Sequence, residues 1–323
     1  MKDDKVEIQK NVALNNKNWF KTGGPAAFYA EPASAQAFAD ALAYAQNNDL
    51  SVFVLGKGAN ILISDRGFDG LVIRPTLKEI NHTDIGKTDV LVTAQAGVSI
   101  AELIIYCLEH NIIGLEEFSG IPGSVGGAVC MNIHYFQHSL RDFLVEATVI
   151  NRKNQNIETV DKNWLNLGYD KSRLMDKEYF LVSATFKLKK ATDIETAYAS
   201  GRRAEILRHR NSRYPTKNTC GCFFRNFSPD EVTITIPGTD KKMIYVAYYL
   251  DKIGVKGNLT VGDAVVSHQH ANMIVNKGYA TSEDIVLLAR EMQKLVKEHF
   301  GIIPQPECQL VGFDEYPLLR YKK

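Results

Sequence analysis

The sequence predicts an α+β chain of two or three domains on three observations. Two glycine-rich runs stand close to apolar segments in the N-terminal part. Long β-type strands follow one another from residue 145 to residue 188 without intervening helices. A well-capped amphipathic helix lies near the end, at 282–300. The length of 323 residues allows that many cores. Hydrophobic and charged contents of 45% and 23% place the chain among ordinary globular proteins.

Residues 1–75 read β-α-β-β. Thr22-Gly-Gly-Pro25 is a turn into a strand at 26–30. Ser34 is a candidate N-cap for a helix carrying Phe38, Ala41, Leu42 and Ala45 on one face. Val52-Phe-Val-Leu55 reads as a short buried strand, followed by the run Gly56-Lys-Gly-Ala-Asn-Ile-Leu62 and a second strand at 71–74.

From Asp89 the pattern restarts with a strand at 90–97. Ser99 and Glu102 form a capping box for a helix with Ile100, Leu103, Ile104, Cys107 and Leu108 on one face, running to near Gly114. Next comes Ser119-Gly-Ile-Pro-Gly-Ser-Val-Gly-Gly-Ala-Val-Cys-Met-Asn132. Four glycines and a proline in fourteen residues argue against an ordinary helix or strand. Strands are expected at 145–150, 156–160 and 179–188.

A third region opens near Ala197 with a basic helix, Gly201–Arg210, whose arginines read as a solvated face. The helix at 282–300 has Thr281 and Asp284 as capping box and Gly301 as stop signal. Its apolar stripe is Ile285, Leu288, Ala289, Met292 and Val296. The expected domains are therefore 1–75, 76–196 and 197–323.

A formal charge of +1 and no Lys/Arg run argue against a nucleic-acid partner. No apolar run approaches the length of a membrane span, and Met1-Lys-Asp-Asp-Lys leads into no leader-like apolar segment, so no membrane partner is expected. Five cysteines, an odd number spread along the chain, imply reduced thiols and a cytoplasmic location. A monomer is expected.

Glycine-rich turns expose successive backbone N–H groups and form anion-binding concavities. Neither run is a GxGxxG opening a βαβ unit, so a Rossmann site is not supported. Two such cradles suggest a phosphate-bearing cofactor of some size; buried packing turns are the alternative.

Thr219-Cys-Gly-Cys-Phe-Phe-Arg-Asn226 admits three readings. It is a buried packing turn, a half zinc site completed by His268 and His270, or a proton-donating thiol at Cys222 near the cationic Arg225. Ile303-Pro-Gln-Pro-Glu307 holds a carboxylate in a rigid run, and Ser267-His-Gln-His-Ala-Asn272 offers two imidazoles and two amides.

Taken in order, these stretches resemble the FAD-dependent UDP-N-acetylenolpyruvoylglucosamine reductases, the MurB family. The motifs are Val54–Leu62, Asp65-Arg-Gly-Phe-Asp-Gly-Leu-Val-Ile73, Ser119–Ala128, Tyr214-Pro-Thr with Cys220–Asn226, Ala271-Asn-Met-Ile-Val-Asn-Lys-Gly278, and Pro306-Glu-Cys with Val311-Gly312. The resemblance runs from about Asn18 to Gly312. Lack of the inserted tyrosine loop makes the chain look like the shorter, type II form.

The resemblance implies a two-part, VAO/PCMH-like FAD-binding region and a C-terminal α/β substrate-binding domain. It implies FAD as cofactor and NADPH as co-substrate. In the family, hydride reaches the methylene carbon of the enolpyruvyl ether of UDP-N-acetylglucosamine, and a protein acid protonates the adjacent carbon, giving UDP-N-acetylmuramate.

Carried onto this chain, FAD contacts fall at Gly56, Lys57, Gly58, Ala59, Asn60, Ile61 and Leu62. A second set falls at Ser119, Pro122, Gly123, Ser124, Gly126, Gly127 and Ala128. Glu307 falls at the catalytic glutamate and Cys222 at the proton donor, usually serine. Tyr169, Arg213, Asn226 and His270 fall at substrate contacts; no metal is implied.

Four departures stand out. The donor is cysteine. Asp170 stands where the family has an arginine after the tyrosine, which nominates Arg173, or else Lys171, as substitute cation. Asn132-Ile-His-Tyr-Phe-Gln137 replaces a run of small residues, and residues 227–243 look like an inserted hairpin. These leave two alternatives open: a related flavoprotein acting on another enol ether or sugar nucleotide, or a catalytically silent FAD- or nucleotide-binding paralogue.

Overall fold

The computed structural model describes residues 6–320 and separates the chain into two units. Unit 1 comprises the described residues up to Val12, Ala26–Lys57 and Asp69–Arg210. Unit 2 comprises Ala13–Pro25, Gly58–Phe68 and the described residues from Asn211 onward.

Unit 1 holds two larger sheets and a two-stranded ribbon, His134–Tyr135 with His138–Ser139. The first has the order Gln9–Ala13, Pro25–Ala30, Phe68–Ile73, Val52–Val54, the last two parallel. Helix α1 (Ala35–Asn47) is capped by Ser34, whose Oγ accepts from the Ala37 amide at 3.1 Å. It buries Phe38, Ala41, Leu42 and Ala45, the face its period predicts.

The second sheet is antiparallel, in the order Ile157–Asp161, Leu144–Asn151, Tyr179–Lys190, Asp89–Gln95, Ile80–Ile85. Ile112–Ile113 joins the end of the long strand. Asp89–Gln95 alternates buried and half-buried residues, as a strand with one face on a core must. That core lies under α2 (Ile100–Glu109) and α3 (Val125–Met131). The Ser99–Glu102 capping box is formed, at 2.7 and 3.1 Å. Helix α2 ends at Glu109, short of Gly114, because Asn111 turns left-handed at φ 54 and the chain enters the Ile112–Ile113 strand.

The second glycine run is not all loop, which corrects the compositional expectation. Ser124 caps α3, its Oγ accepting from the Gly127 amide at 3.3 Å. Val125, Ala128 and Val129 are buried at helical spacing. The glycines permit close packing: a Cβ at Gly126 would lie 3.3 Å from Ala96 Cβ.

Helix α4 (Asp193–Arg213) begins before the expected Ala197 because Thr192 and Glu195 cap it reciprocally, at 2.8 and 3.3 Å. Of its arginines, Arg202, Arg208 and Arg213 are exposed as expected, whereas Arg203 and Arg210 are half-buried, Arg210 lying over the Tyr135 ring at 5.4 Å; Arg202 forks onto Glu117 at 2.7 and 2.9 Å.

Unit 2 carries α5 (Val246–Ile253) and α6 (Ser282–Phe300) over one core. A three-stranded meander, Thr260–Val261, Ala264–Val266 and Ile274–Asn276, lies beside them. The α6 capping box and stop match expectation, with Gly301 at φ 71. The 227–243 segment closes as a short hairpin through Thr235 and Lys242, with Val232 and Met243 buried.

Ile61–Ile63 pairs in parallel with Gln309–Val311, which draws the 58–68 segment into this unit. Backbones crowd at this junction. Gly67 has φ +86, and a Cβ there would collide with the Pro25 carbonyl. Gly67→Ala should therefore cost about 3 kcal/mol or more from strain and overlap together. Gly254→Ala, at φ +79 with nothing within 4 Å of the new Cβ, should cost only about 1 kcal/mol. Thermal melts of the two variants check this, and equal melting temperatures would contradict it.

Among the described residues no helix is long and apolar enough to cross a membrane. Nor does any group of three or more His, Cys, Asp or Glu come together to hold a metal ion.

Candidate active site

In unit 1 the two glycine runs meet. A Cβ at Gly56 would lie 2.6 Å from Ser124 Oγ, so only glycine lets the first run approach the cap of α3. The Val125 amide donates to Val98 O at 2.7 Å, the Gly126 amide to Ala96 O at 3.0 Å, and the Gly123 carbonyl accepts from Ile100 at 3.1 Å. These bonds fix the loop on the start of α2. They also engage the amides after Ser124 within the protein, so Gly126 and Ala128 serve packing. The open face is at Gly123, where a Cβ would meet nothing within 4 Å. Beside it in sequence, Ser119 is 2% exposed, and its Oγ is buried without a hydrogen-bond partner. A buried hydroxyl without a partner is costly unless a ligand satisfies it. An open glycine surface and an unsatisfied hydroxyl fit an organic phosphate.

The rest of the first run belongs to unit 2. Gly58 has φ +67, and a Cβ there would lie 2.6 Å from Asn18 Cα. Asn60 Nδ2 reaches Glu307 O at 3.5 Å, while its Oδ1 is buried without a partner. Ile61 and Leu62 are buried strand residues that pair with Gln309 and Leu310, and Leu62 joins the unit 2 core. Ala59 and, in unit 1, Lys57 and Pro122 are half-buried.

Two turns of unit 1 hold the next set. Tyr169 is 57% exposed, with its ring centroid 4.5 Å from that of His134. Arg173 and Lys171 are both exposed. The Arg173 guanidinium lies over the Trp164 ring at 4.5 Å. Asp170, set at φ 47, has Oδ1 at 3.5 Å from His134 Nδ1. Sequence reasoning gave His134 no role; its signal was a histidine where small residues were expected.

Unit 2 builds a second centre around the 220–226 segment. The Phe223 amide donates to Asn272 O at 2.8 Å, and Phe223 O accepts from the Glu307 amide at 2.9 Å. The segment bearing Cys222 is thereby held beside the Pro-flanked segment bearing Glu307. Asn272 clamps the segment with its side chain, Nδ2 to Phe224 O at 2.7 Å and Oδ1 from the Phe224 amide at 3.1 Å. Sequence reasoning missed this clamp, although a buried amide in an apolar run is its signature.

Cys222 and Glu307 are half-buried, whereas Cys220 and Cys308 are buried. Burial pushes the Cys220 thiol well above its ordinary range. It therefore stays a thiol, which leaves Cys222 as the reactive sulfur of the pair. Arg225, expected as the cation near that thiol, forks onto Glu231 at 2.9 Å through both nitrogens.

His270 is neutral at pH 7, because burial pushes its imidazole down to about 4. Its Nδ1 accepts from the Asn272 amide at 3.3 Å, which leaves Nε2–H as a donor. Tyr214 lies against it with ring centroids 5.3 Å apart. Arg213 is exposed at the end of α4, and Asn226 is half-buried next to the Arg225–Glu231 pair.

Residues 213–311 match the family model of the UDP-N-acetylenolpyruvoylglucosamine reductase C-terminal domain, and residues 26–160 match that of an FAD binding domain. The UDP-N-acetylenolpyruvoylglucosamine reductase of Agathobacter rectalis is 33% identical, with 94% of each chain covered. That of Gloeobacter violaceus is 34% identical over 95% of this chain and 97% of its own. The crystal structure of UDP-N-acetylenolpyruvylglucosamine reductase from Thermus caldophilus is similar with a TM-score of 0.73 at 27% identity, covering 95% of this chain and 99% of that one.

Proposed function

The chain belongs to the UDP-N-acetylenolpyruvoylglucosamine reductase family, and from that premise we propose that it reduces UDP-N-acetylglucosamine enolpyruvate to UDP-N-acetylmuramate, with FAD as cofactor and NADPH as reductant. The observation that carries the reading lies in unit 2, where the Phe223 carbonyl joins the backbone of Glu307 to the segment of Cys222. One carboxyl and one thiol held on neighbouring, backbone-bonded segments supply a charge-stabilising group and an acid.

Bound FAD would supply the hydride-carrying chemistry that links NADPH to the enolpyruvyl methylene carbon. In unit 1, Gly123, Ser119 and the backbone around Gly56 hold its diphosphate. Glu307, in its protonated form, donates a hydrogen bond to the substrate carboxylate and so stabilises the charge that develops there. Cys222 holds the proton that goes to the adjacent carbon. In unit 2, His270 donates Nε2–H and, with Arg213 and Asn226, positions the sugar nucleotide; in unit 1, Tyr169 is the proposed substrate contact. The protein works as a cytoplasmic monomer on this small-molecule substrate.

Steady-state NADPH oxidation tests the reading. It should depend on added UDP-N-acetylglucosamine enolpyruvate, with UDP-N-acetylmuramate identified by mass. NADPH oxidation indifferent to that compound would favour another enol ether, as the altered 132–137 run allows.

The half-buried thiol makes a separate prediction. Cys222→Ser should keep activity within about tenfold, since either side chain can carry the proton, and it should gain resistance to peroxide. Activity measured before and after peroxide treatment checks this; a folded but inactive serine variant would contradict it.

A further inference from the structure

The edge of the antiparallel sheet in unit 1 carries a histidine pair that the proposed reaction does not use. His82 stands on the Ile80–Ile85 strand, the last of that sheet, and His110 is the C-cap of α2. Both are exposed, and their ring centroids lie 4.9 Å apart at an interplanar angle of 61°. Tyr106, one helical turn before His110, joins them. Its ring stacks on that of His110 at 4.2 Å and meets that of His82 edge-on at 5.7 Å. Its hydroxyl bonds His82 Nδ1 at 2.8 Å, and its carbonyl bonds His110 Nδ1 at 2.8 Å. One tyrosine thus engages the same nitrogen on both rings.

These bonds set which atoms remain for a ligand. A carbonyl only accepts, so His110 Nδ1 carries its proton and Nε2 of the neutral ring presents a lone pair. Tyr106 stays a phenol, since burial raises its hydroxyl above the ordinary value. Its oxygen can accept from Nδ1–H of His82, which leaves Nε2 of that ring bare as well. Among the described residues no protein group bonds either Nε2. Metal-ligating histidines are oriented in this way, one ring nitrogen held by an oxygen and the other turned to the ion. The separation fits too. With N–metal bonds of about 2.0–2.1 Å, two imidazoles on one ion at square to tetrahedral angles have centroids about 4.5–5.2 Å apart.

We infer that His82 and His110 form a two-imidazole site for a borderline divalent transition-metal ion such as Zn²⁺, bound through both Nε2 atoms. The site lies wholly within unit 1 and owes nothing to the reaction proposed above. No third His, Cys, Asp or Glu joins the pair among the described residues, so water completes the coordination. Asp84, two residues along the strand from His82, pairs with Lys190 instead. The strand is exposed beyond Ile80 and pairs with Asp89–Gln95 along one side. An ion bridging His82 to His110 ties this sheet edge to the end of α2. Binding then stabilises the strand by an amount set by ion concentration over Kd.

Calorimetric titration of Zn²⁺ into the untagged, flavin-loaded protein tests the site, with hydrogen exchange of the 80–85 amides read on the same samples. The parent should bind one Zn²⁺ here. At ten times the measured Kd, exchange at 80–85 should slow by about tenfold. His82→Gln and His110→Gln, both at exposed positions, should melt like the parent without metal, lose this uptake and lose the Zn²⁺-dependent protection. Tyr106→Phe keeps both ligands but not the hydroxyl that orients His82, and should bind about tenfold more weakly. Zn²⁺ held elsewhere on the protein, at its thiols for instance, would leave exchange at 80–85 unchanged. A parent whose 80–85 exchange ignores Zn²⁺, or a glutamine variant that keeps the parent's uptake and protection, overturns the site.

Discussion

Replacing Glu307 by glutamine leaves the NADPH-dependent half of the reaction at its parent rate and slows reduction of the enolpyruvyl sugar nucleotide by about a thousandfold. The asymmetry follows from where the charge is needed. Hydride transfer from NADPH builds no charge on the sugar nucleotide, whereas hydride addition to the enol ether drives charge toward the substrate carboxylate. The variant should fold, because position 307 is fixed by its backbone. Its amide donates to Phe223 O at 2.9 Å, its carbonyl accepts from Asn60, and Pro306 bridges to Phe224. Separate measurement of the two half-reactions checks the claim; equal slowing of both would contradict the assigned role.

Gly123→Val gives the second large effect. A Cβ at this position meets nothing within 4 Å, and the residue needs no left-handed backbone, so the chain itself has room for the side chain. If the open face is where the cofactor diphosphate rests, valine takes that place. The apoprotein should melt like the parent apoprotein, while retained flavin falls below about a tenth. Flavin absorbance per mole of purified protein, with a melting curve on the same sample, reads both quantities. A yellow Gly123→Val protein would return this run to the status of a packing turn.

Much of the fold is legible because the local signals are strong and mutually consistent. Two capping boxes, Ser99 with Glu102 and Thr281 with Asp284, start helices where their patterns require, and Gly301 stops α6. The misses have physical causes. Helix α3 was hidden because glycine content masks the spacing of Val125, Ala128 and Val129, which the core rewards. The strand Ile80–Ile85 shows almost no alternation, since most of its residues are exposed, and it is defined by pairing with Asp89–Gln95. The move of residues 58–68 into unit 2 depends on pairing with Gln309–Val311, a long-range contact that no local pattern encodes.

The site divides in the same way. Cys222 and Glu307 could be named from their motifs, and the structure places their segments side by side. The partners of the departures could not. Stacking of Arg173 on Trp164 and the approach of His134 to Asp170 depend on how two separate turns fold against each other.

The central claim is tested most directly by mixing the NADPH-reduced protein anaerobically with UDP-N-acetylglucosamine enolpyruvate and following flavin absorbance through a single turnover. The account predicts rapid return of the oxidised flavin colour, with one equivalent of UDP-N-acetylmuramate found by mass. A flavin that NADPH bleaches and that stays bleached after mixing would contradict it.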